Sequence, residues 1–112
     1  MEPWVVVFTE EAEREFRALS ADMQASGLHV ARLLQTLGPQ QVREPHVKHL
    51  EGKLWEMRFR GQDGIARALY FAQTGRRLCV LRVFVKKSQK TPRREIALAL
   101  QRLAEVTANE NP

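Results

Sequence analysis

The chain has 112 residues, enough for one buried core and too few for two. Lys and Arg number 18 against 13 Asp and Glu, a formal net charge of +5, which points to nucleic acid first, an acidic protein second and a membrane surface third. The lone cysteine excludes an intramolecular disulfide and a cysteine-rich zinc site, and no apolar run approaches the length of a membrane span.

The N-terminal Met-Glu-Pro-Trp is acidic and lacks the apolar region of a signal peptide, so a soluble cytoplasmic protein is expected. Trp4-Val-Val-Val-Phe8 is a β-branched and aromatic run that predicts a buried strand. Thr9 then serves as the N-cap of a helix whose first turn carries Glu10, Glu11 and Glu13, as the helix dipole prefers. Ala12, Phe16, Leu19 and Met23 recur at helical spacing, and Gly27 is read as the break. A second helix with Leu28, Ala31, Leu34 and Leu37 on one face runs to Gly38-Pro39, giving a helical hairpin. The pattern turns extended after Pro45. Leu54 to Arg60 alternates, with Trp55, Met57 and Phe59 on one face and Glu56, Arg58 and Arg60 on the other. Gly61-Gln-Asp-Gly64 and Gln73-Thr-Gly75-Arg76 are turn signals around a strand from Ile65 to Ala72. Leu78 to Lys86 is the third strand of this meander. It contains Cys79, whose apolar setting reads as that of a buried structural thiol.

The last helix runs from about Pro92 to about Val106, with Thr91 as its N-cap and Ile96, Leu100, Leu103 and Val106 on its buried side. The polar tail, residues 107–112, is expected to fray. The order β-α-α-β-β-β-α describes a single α+β domain with its core over about residues 4–106. Its sheet is mainly antiparallel and twisted, because consecutive strands joined by short turns must run antiparallel. The helices are expected on one face, leaving the face of Glu56, Arg58 and Arg60 open.

The chemistry of this chain is concentrated in its cations. Lys86, Lys87, Lys90, Arg93 and Arg94 crowd a strand-to-helix corner. A helix N-terminus is already positive, so this crowding is unfavourable unless an anion such as phosphate is bound or the corner is simply solvated. Lys48 precedes the meander. Arg67 lies inside the apolar run Ile65-Ala-Arg-Ala-Leu-Tyr-Phe71, where a guanidinium needs a carboxylate or water. Glu56 is the nearest candidate partner if the hairpin centres on Asp63-Gly64, and a structural pair of the two across neighbouring strands does not exclude a catalytic role. Tyr70 is expected to pack rather than stack on a base. His46 and His49 are three apart in an extended segment and face opposite ways, so no metal site is expected; His29 has no partner in sequence. No glycine-rich phosphate loop or nucleophile elbow is present, and no cofactor is expected. Arginine and lysine alone suffice to hold a scissile phosphate and to stabilise the charge that develops on it.

The ordered set Lys48-x-Leu50-x-Gly52-x-Leu54-Trp55-Glu56-x-Arg58-Phe59, Arg67-x-x-Tyr70-Phe71 and Phe84-x-Lys86-Lys87-x-x-Lys90-Thr91-Pro92-x-x-Glu95-Ile96 resembles the phage-derived HigB-like killer proteins of the RelE/ParE toxin superfamily. The resemblance spans Val5 to about Leu103. It implies a compact microbial-RNase-like fold and metal-independent cleavage of mRNA on the 70S ribosome, by 2′-OH attack that leaves a cyclic phosphate. It also implies a helix-turn-helix antitoxin as partner. By position, Arg58, Arg67 and Lys87 match catalytic and phosphate-binding cations of RelE-like toxins, and Glu56 stands where those toxins carry a second basic residue. The C-terminal base-stacking tyrosine of those toxins has no counterpart near Arg93. Lys48, Arg60, Lys86, Lys90, Arg93 and Arg94 are expected to bind the RNA backbone. Two other readings stay open: a ParE-like gyrase poison on the same fold, and a basic module without chemistry.

Overall fold

The computed structural model describes residues 3–87 and 89–110. In chain order the elements are β1 (Val5–Phe8), α1 (Glu10–Arg17), α2 (Ala21–Leu37), β2 (Val47–Glu51), β3 (Leu54–Gly61), β4 (Gly64–Gln73), β5 (Arg77–Val85) and α3 (Arg93–Glu110). The five strands form one sheet in the order β1-β5-β4-β3-β2. β1 runs parallel to β5, and every other neighbouring pair is antiparallel. The α+β class and the antiparallel meander are as the sequence predicts. The extended segment after Pro45 proves to be a strand of its own, turned back on β3 through Gly52 at φ +56.

The helices do not share one face. Phe16, Met23, Val30 and Leu34 pack with Met57, Phe59, Ala68 and Val80, whereas Ile96 and Ala99 pack with Leu54, Leu69, Cys79 and Leu81 on the opposite face. The expectation of a single covered face fails because each strand of the meander is apolar on both sides along part of its length, and both sides must be buried. α3 also continues through the supposed tail to Glu110. Residues 111 and 112 of that tail lie outside the described residues.

The helical hairpin breaks earlier than Gly27. Thr9 caps α1 through its side chain, which accepts from the Ala12 N–H at 3.1 Å, as expected. Ser20 opens α2, and Gly27 lies within it. The buried stripe of α2 is therefore Met23, Gly27, Val30, Ala31 and Leu34, while Leu28 and Leu37, expected inside, are exposed. Gly27 serves close packing: a Cβ there would stand 2.8 Å from Phe16 Cε1 and 3.0 Å from Phe59 Cε2. Gly27→Ala should cost about 1–3 kcal/mol, as overpacking does, despite the better helix propensity of alanine. Chemical denaturation checks this, and an unchanged midpoint would show that the two rings yield freely.

Beyond β1 the outer edge of β5 is closed by side chains. Glu15 of α1 accepts from the Val83 N–H at 3.0 Å, and Arg102 of α3 donates to the Leu81 carbonyl at 2.8 Å. Glu15 also pairs with Arg82 at 2.7 Å and Arg102 at 3.0 Å, and Arg82 pairs with Glu95 at 2.7 Å. Burial alone would raise the Glu15 carboxyl, but the donors Arg102, Val83 N–H and Arg82 outweigh it and hold the group below its ordinary value. An edge that would otherwise offer a template for strand addition is thus covered, and α1, β5 and α3 are tied together.

Candidate active site

Two registered rows cross the sheet on the α3 side. Lys48, Glu56 and Leu69 stand opposite one another in one row, and Arg58, Arg67 and Phe84 in the next. Directly paired arginines repel. The repulsion is relieved by Glu56, diagonal to Arg67 and two residues from Arg58. Its Oε1 accepts from Arg67 Nη1 at 3.0 Å and its Oε2 from Arg58 Nε at 2.9 Å. Glu56 and Arg67 are 0% and 1% exposed, so the pair foreseen in the sequence is real and wholly buried. The Arg58 side chain remains 24% exposed and carries the cation of the trio out to solvent.

The same hub holds the loop between β5 and α3. Arg67 Nη2 donates to the Gln89 carbonyl at 2.8 Å, and Arg67 Nη1 donates to the Thr91 hydroxyl, which itself donates to Glu56 Oε1. Thr91 does not take the N-cap role that its sequence position predicts. Its hydroxyl is turned to Glu56 and Arg67 instead, and α3 begins at Arg93 with the Pro92 carbonyl accepting from Glu95 and Ile96. Side-chain hydrogen bonds of this kind compete directly with capping. Tyr70 packs in the core as expected, and burial raises its hydroxyl pKa.

A cleft of about 430 Å³ opens where β2 has not yet joined β3. Arg58, Arg60 and Lys86 line it, with Ser26 and His29 of α2, His46 ahead of β2, and Gln89. The Lys86 ammonium is held below its ordinary value, first by desolvation and then by the guanidiniums of Arg67 and Arg58, with Glu56 opposing and Arg60 adding to the effect. The open cationic sheet face is therefore narrower than expected: the Glu56 end lies under α3, and only the Arg58–Arg60 end is open.

The other cations separate. Lys87 lines a different groove with Phe84, Pro92 and Arg94. Arg93 pairs with Glu51 at 2.7 Å. Lys48 and Lys90 are exposed, Lys48 on the outer strand β2. Of the residues matched to catalytic positions, the structure gathers Glu56, Arg58 and Arg67 and leaves Lys87 apart, while Lys86 takes the place beside Arg58. The local sequence does not reveal that His29 and His46 line the same cleft as Arg58, Arg60 and Lys86. α2, packed on the sheet face opposite α3, carries His29 to the lining of this cleft, and no spacing along the chain records that.

A mixed five-stranded sheet in this order, flanked by three helices, has the fold of the RelE toxins. The E. coli toxin RelE, solved as a double arginine mutant in the free state, superposes with a TM-score of 0.66 at 16% identity, covering 89% of this chain and 97% of that one. The RelBE2 toxin–antitoxin complex of Mycobacterium tuberculosis matches at TM-score 0.56 and 24% identity, over 75% of this chain and 99% of the matched one. The archaeal RelE–RelB complex of Pyrococcus horikoshii OT3 matches at 0.56 and 19%, over 74% and 94%. The chain belongs to the family described as Phage derived protein Gp49-like (DUF891), whose model matches residues 14–104. No functionally curated protein matches it. The expectations of a phage-derived family and of a RelE-like fold are thus borne out.

Proposed function

We propose that this protein is the toxin of a type II toxin–antitoxin system, an endoribonuclease that cuts mRNA on the ribosome. The observation that carries this reading is the cleft cation set of Arg58, Arg60 and Lys86, fixed on a buried Glu56–Arg67–Thr91 hub. Arg58 holds the scissile phosphate, and its guanidinium and the Lys86 ammonium stabilise the charge that grows on the phosphorane oxygens. The 2′-oxygen attacks phosphorus, the bond to the 5′-oxygen breaks, and a 2′,3′-cyclic phosphate and a free 5′-hydroxyl result. The cations supply the charge a metal would otherwise bring. Arg67 and Glu56, being buried, act by positioning Arg58 and the Gln89–Thr91 loop. Lys87 and Arg94 extend the backbone contact into the neighbouring groove. Two of the matched structures are toxin–antitoxin complexes, which supports an antitoxin partner here; the sequence resemblance implies that this partner is a helix-turn-helix protein.

Expression of the chain without its partner should arrest growth by stopping translation. Amino-acid incorporation is expected to fall at once while thymidine incorporation persists, and primer extension should show new 5′ ends within translated messages. The reverse order of loss would indicate a gyrase poison on the same fold. Binding to a single-stranded oligoribonucleotide should weaken with salt at a log–log slope of about −3 to −5, from about −0.7 per neutralised phosphate. A flat response would mean that the basic corner is only solvated.

A further inference from the structure

We infer that the two histidines of the cleft, His46 and His29, are the acid–base pair of the cleavage reaction, an assignment that rests on the ribonuclease reading above. The cations explain how a phosphate is held, but guanidiniums do not exchange protons near neutrality. Transesterification of RNA requires a proton to leave the 2′-hydroxyl and another to reach the departing 5′-oxygen. Imidazole is the side chain suited to both transfers at neutral pH. His46 and His29 come from separate elements, the segment entering β2 and the α2 helix, and line the same cleft as Arg58, Arg60 and Lys86.

The backbone fixes the position of His46. The His46 carbonyl accepts from the Arg58 N–H at 2.8 Å, and its own N–H donates to the Arg43 carbonyl at 3.0 Å. His46 is thereby pinned beside the residue that holds the phosphate, and its side chain is half-buried. The exposed His29 sits across the sequence on α2. His46 takes the 2′-hydroxyl proton as O2′ bonds to phosphorus. Protonated His29 gives its proton to the 5′-oxygen as the P–O5′ bond breaks. No other reactant is needed. The charged groups that share the cleft lining with the pair are Arg58 and Arg60 from β3 and Lys86 from the loop after β5. Lys86 is the rival proton donor, its ammonium already held below the ordinary lysine value.

The test uses the full-length protein on ribosome-bound mRNA carrying one scissile linkage, either natural or with sulfur in place of the leaving 5′-oxygen. A sulfur leaving group departs without a proton. His46→Gln should lose about 100-fold or more on both substrates and lose the acid limb of the pH–rate profile. His29→Gln should lose a similar factor on the natural linkage, lose the alkaline limb, and recover on the sulfur substrate. His49→Gln, whose ring lies on Trp55 outside the cleft, is the control with wild-type rate. Thermal melts of all three variants confirm folding. If His29→Gln keeps its alkaline limb and Lys86→Ala is the variant rescued by sulfur, the acid is Lys86 and the pair is wrong. If both histidine variants cleave at the wild-type rate, the inference fails while the ribonuclease reading stands. If the wild-type protein cleaves nothing at any pH, both fall together.

Discussion

Arg67→Ala should unfold this protein more readily than any substitution at the surface of the cleft. Removing the guanidinium leaves Glu56 buried at 0% exposure with one arginine partner instead of two, and leaves the Gln89 carbonyl without its donor. Breaking a buried pair from one side costs about 3–5 kcal/mol. For a domain of this size that corresponds to a fall in Tm of about 12–20 °C, from about 4 °C per kcal/mol. Gln89 and Thr91 lose their clamp at the same time, so on the proposed reading cleavage should vanish even in the molecules that remain folded. Arg67→Lys cannot repair the site, because one ammonium does not span Glu56, Thr91 and Gln89 as the planar fork does. Adding Glu56→Gln to Arg67→Ala removes the incompletely compensated buried charge and should restore much of the Tm without restoring activity. A single Arg67→Ala variant that melts normally would refute the hub as a structural element. One that melts normally and cleaves normally would refute its role in the loop as well.

The burial of Arg67 shows where the sequence was informative and where it was not. An arginine among Ile65, Ala66, Ala68 and Leu69 announced a partnered charge, and a hairpin turn at Gly61–Gly64 pointed to Glu56 as that partner. Alternation also placed Glu56, Arg58 and Arg60 on one side of β3. It could not say what covered that side, because the answer lies with α3, forty residues downstream. The same loss of long-range information put Gly27 at a helix break, since a glycine reads locally as a breaker and only the rings of Phe16 and Phe59 reveal it as a packing residue. Lys86 and Lys87 are adjacent in sequence and line different grooves. Which one faces Arg58 depends on how the chain leaves β5 beyond its last backbone bond to β4, from the Lys86 N–H to the Ile65 carbonyl at 2.7 Å. A motif match aligned to positions can therefore slip by one at that point.

On the ribonuclease reading proposed above, Arg58→Ala should separate catalysis from folding in a way Arg67→Ala cannot. The side chain is the partly exposed member of the trio, and its loss leaves Glu56 bonded to both Arg67 and Thr91. The expected cost to stability is about 1 kcal/mol, the worth of one charge-assisted contact at a partly wet site. The expected cost to cleavage is far larger. A preorganised cation aimed at a phosphate that gains charge is worth about 3–4 kcal/mol, or about 100- to 1000-fold in rate. Because the charge grows in the transition state, kcat should carry most of the loss and KM little. Arg60→Ala offers the contrast. Arg60 is exposed at the rim of the same cleft, so its loss should raise KM, chiefly at low salt, and leave kcat nearly intact. Arg58→Lys should recover part of the rate, since a point charge is restored without the bidentate grip. Single-turnover cleavage of ribosome-bound mRNA beside a melting curve decides the matter. If Arg58→Ala keeps both its Tm and the wild-type kcat, the cleft beside Glu56 is not where the phosphate is cut.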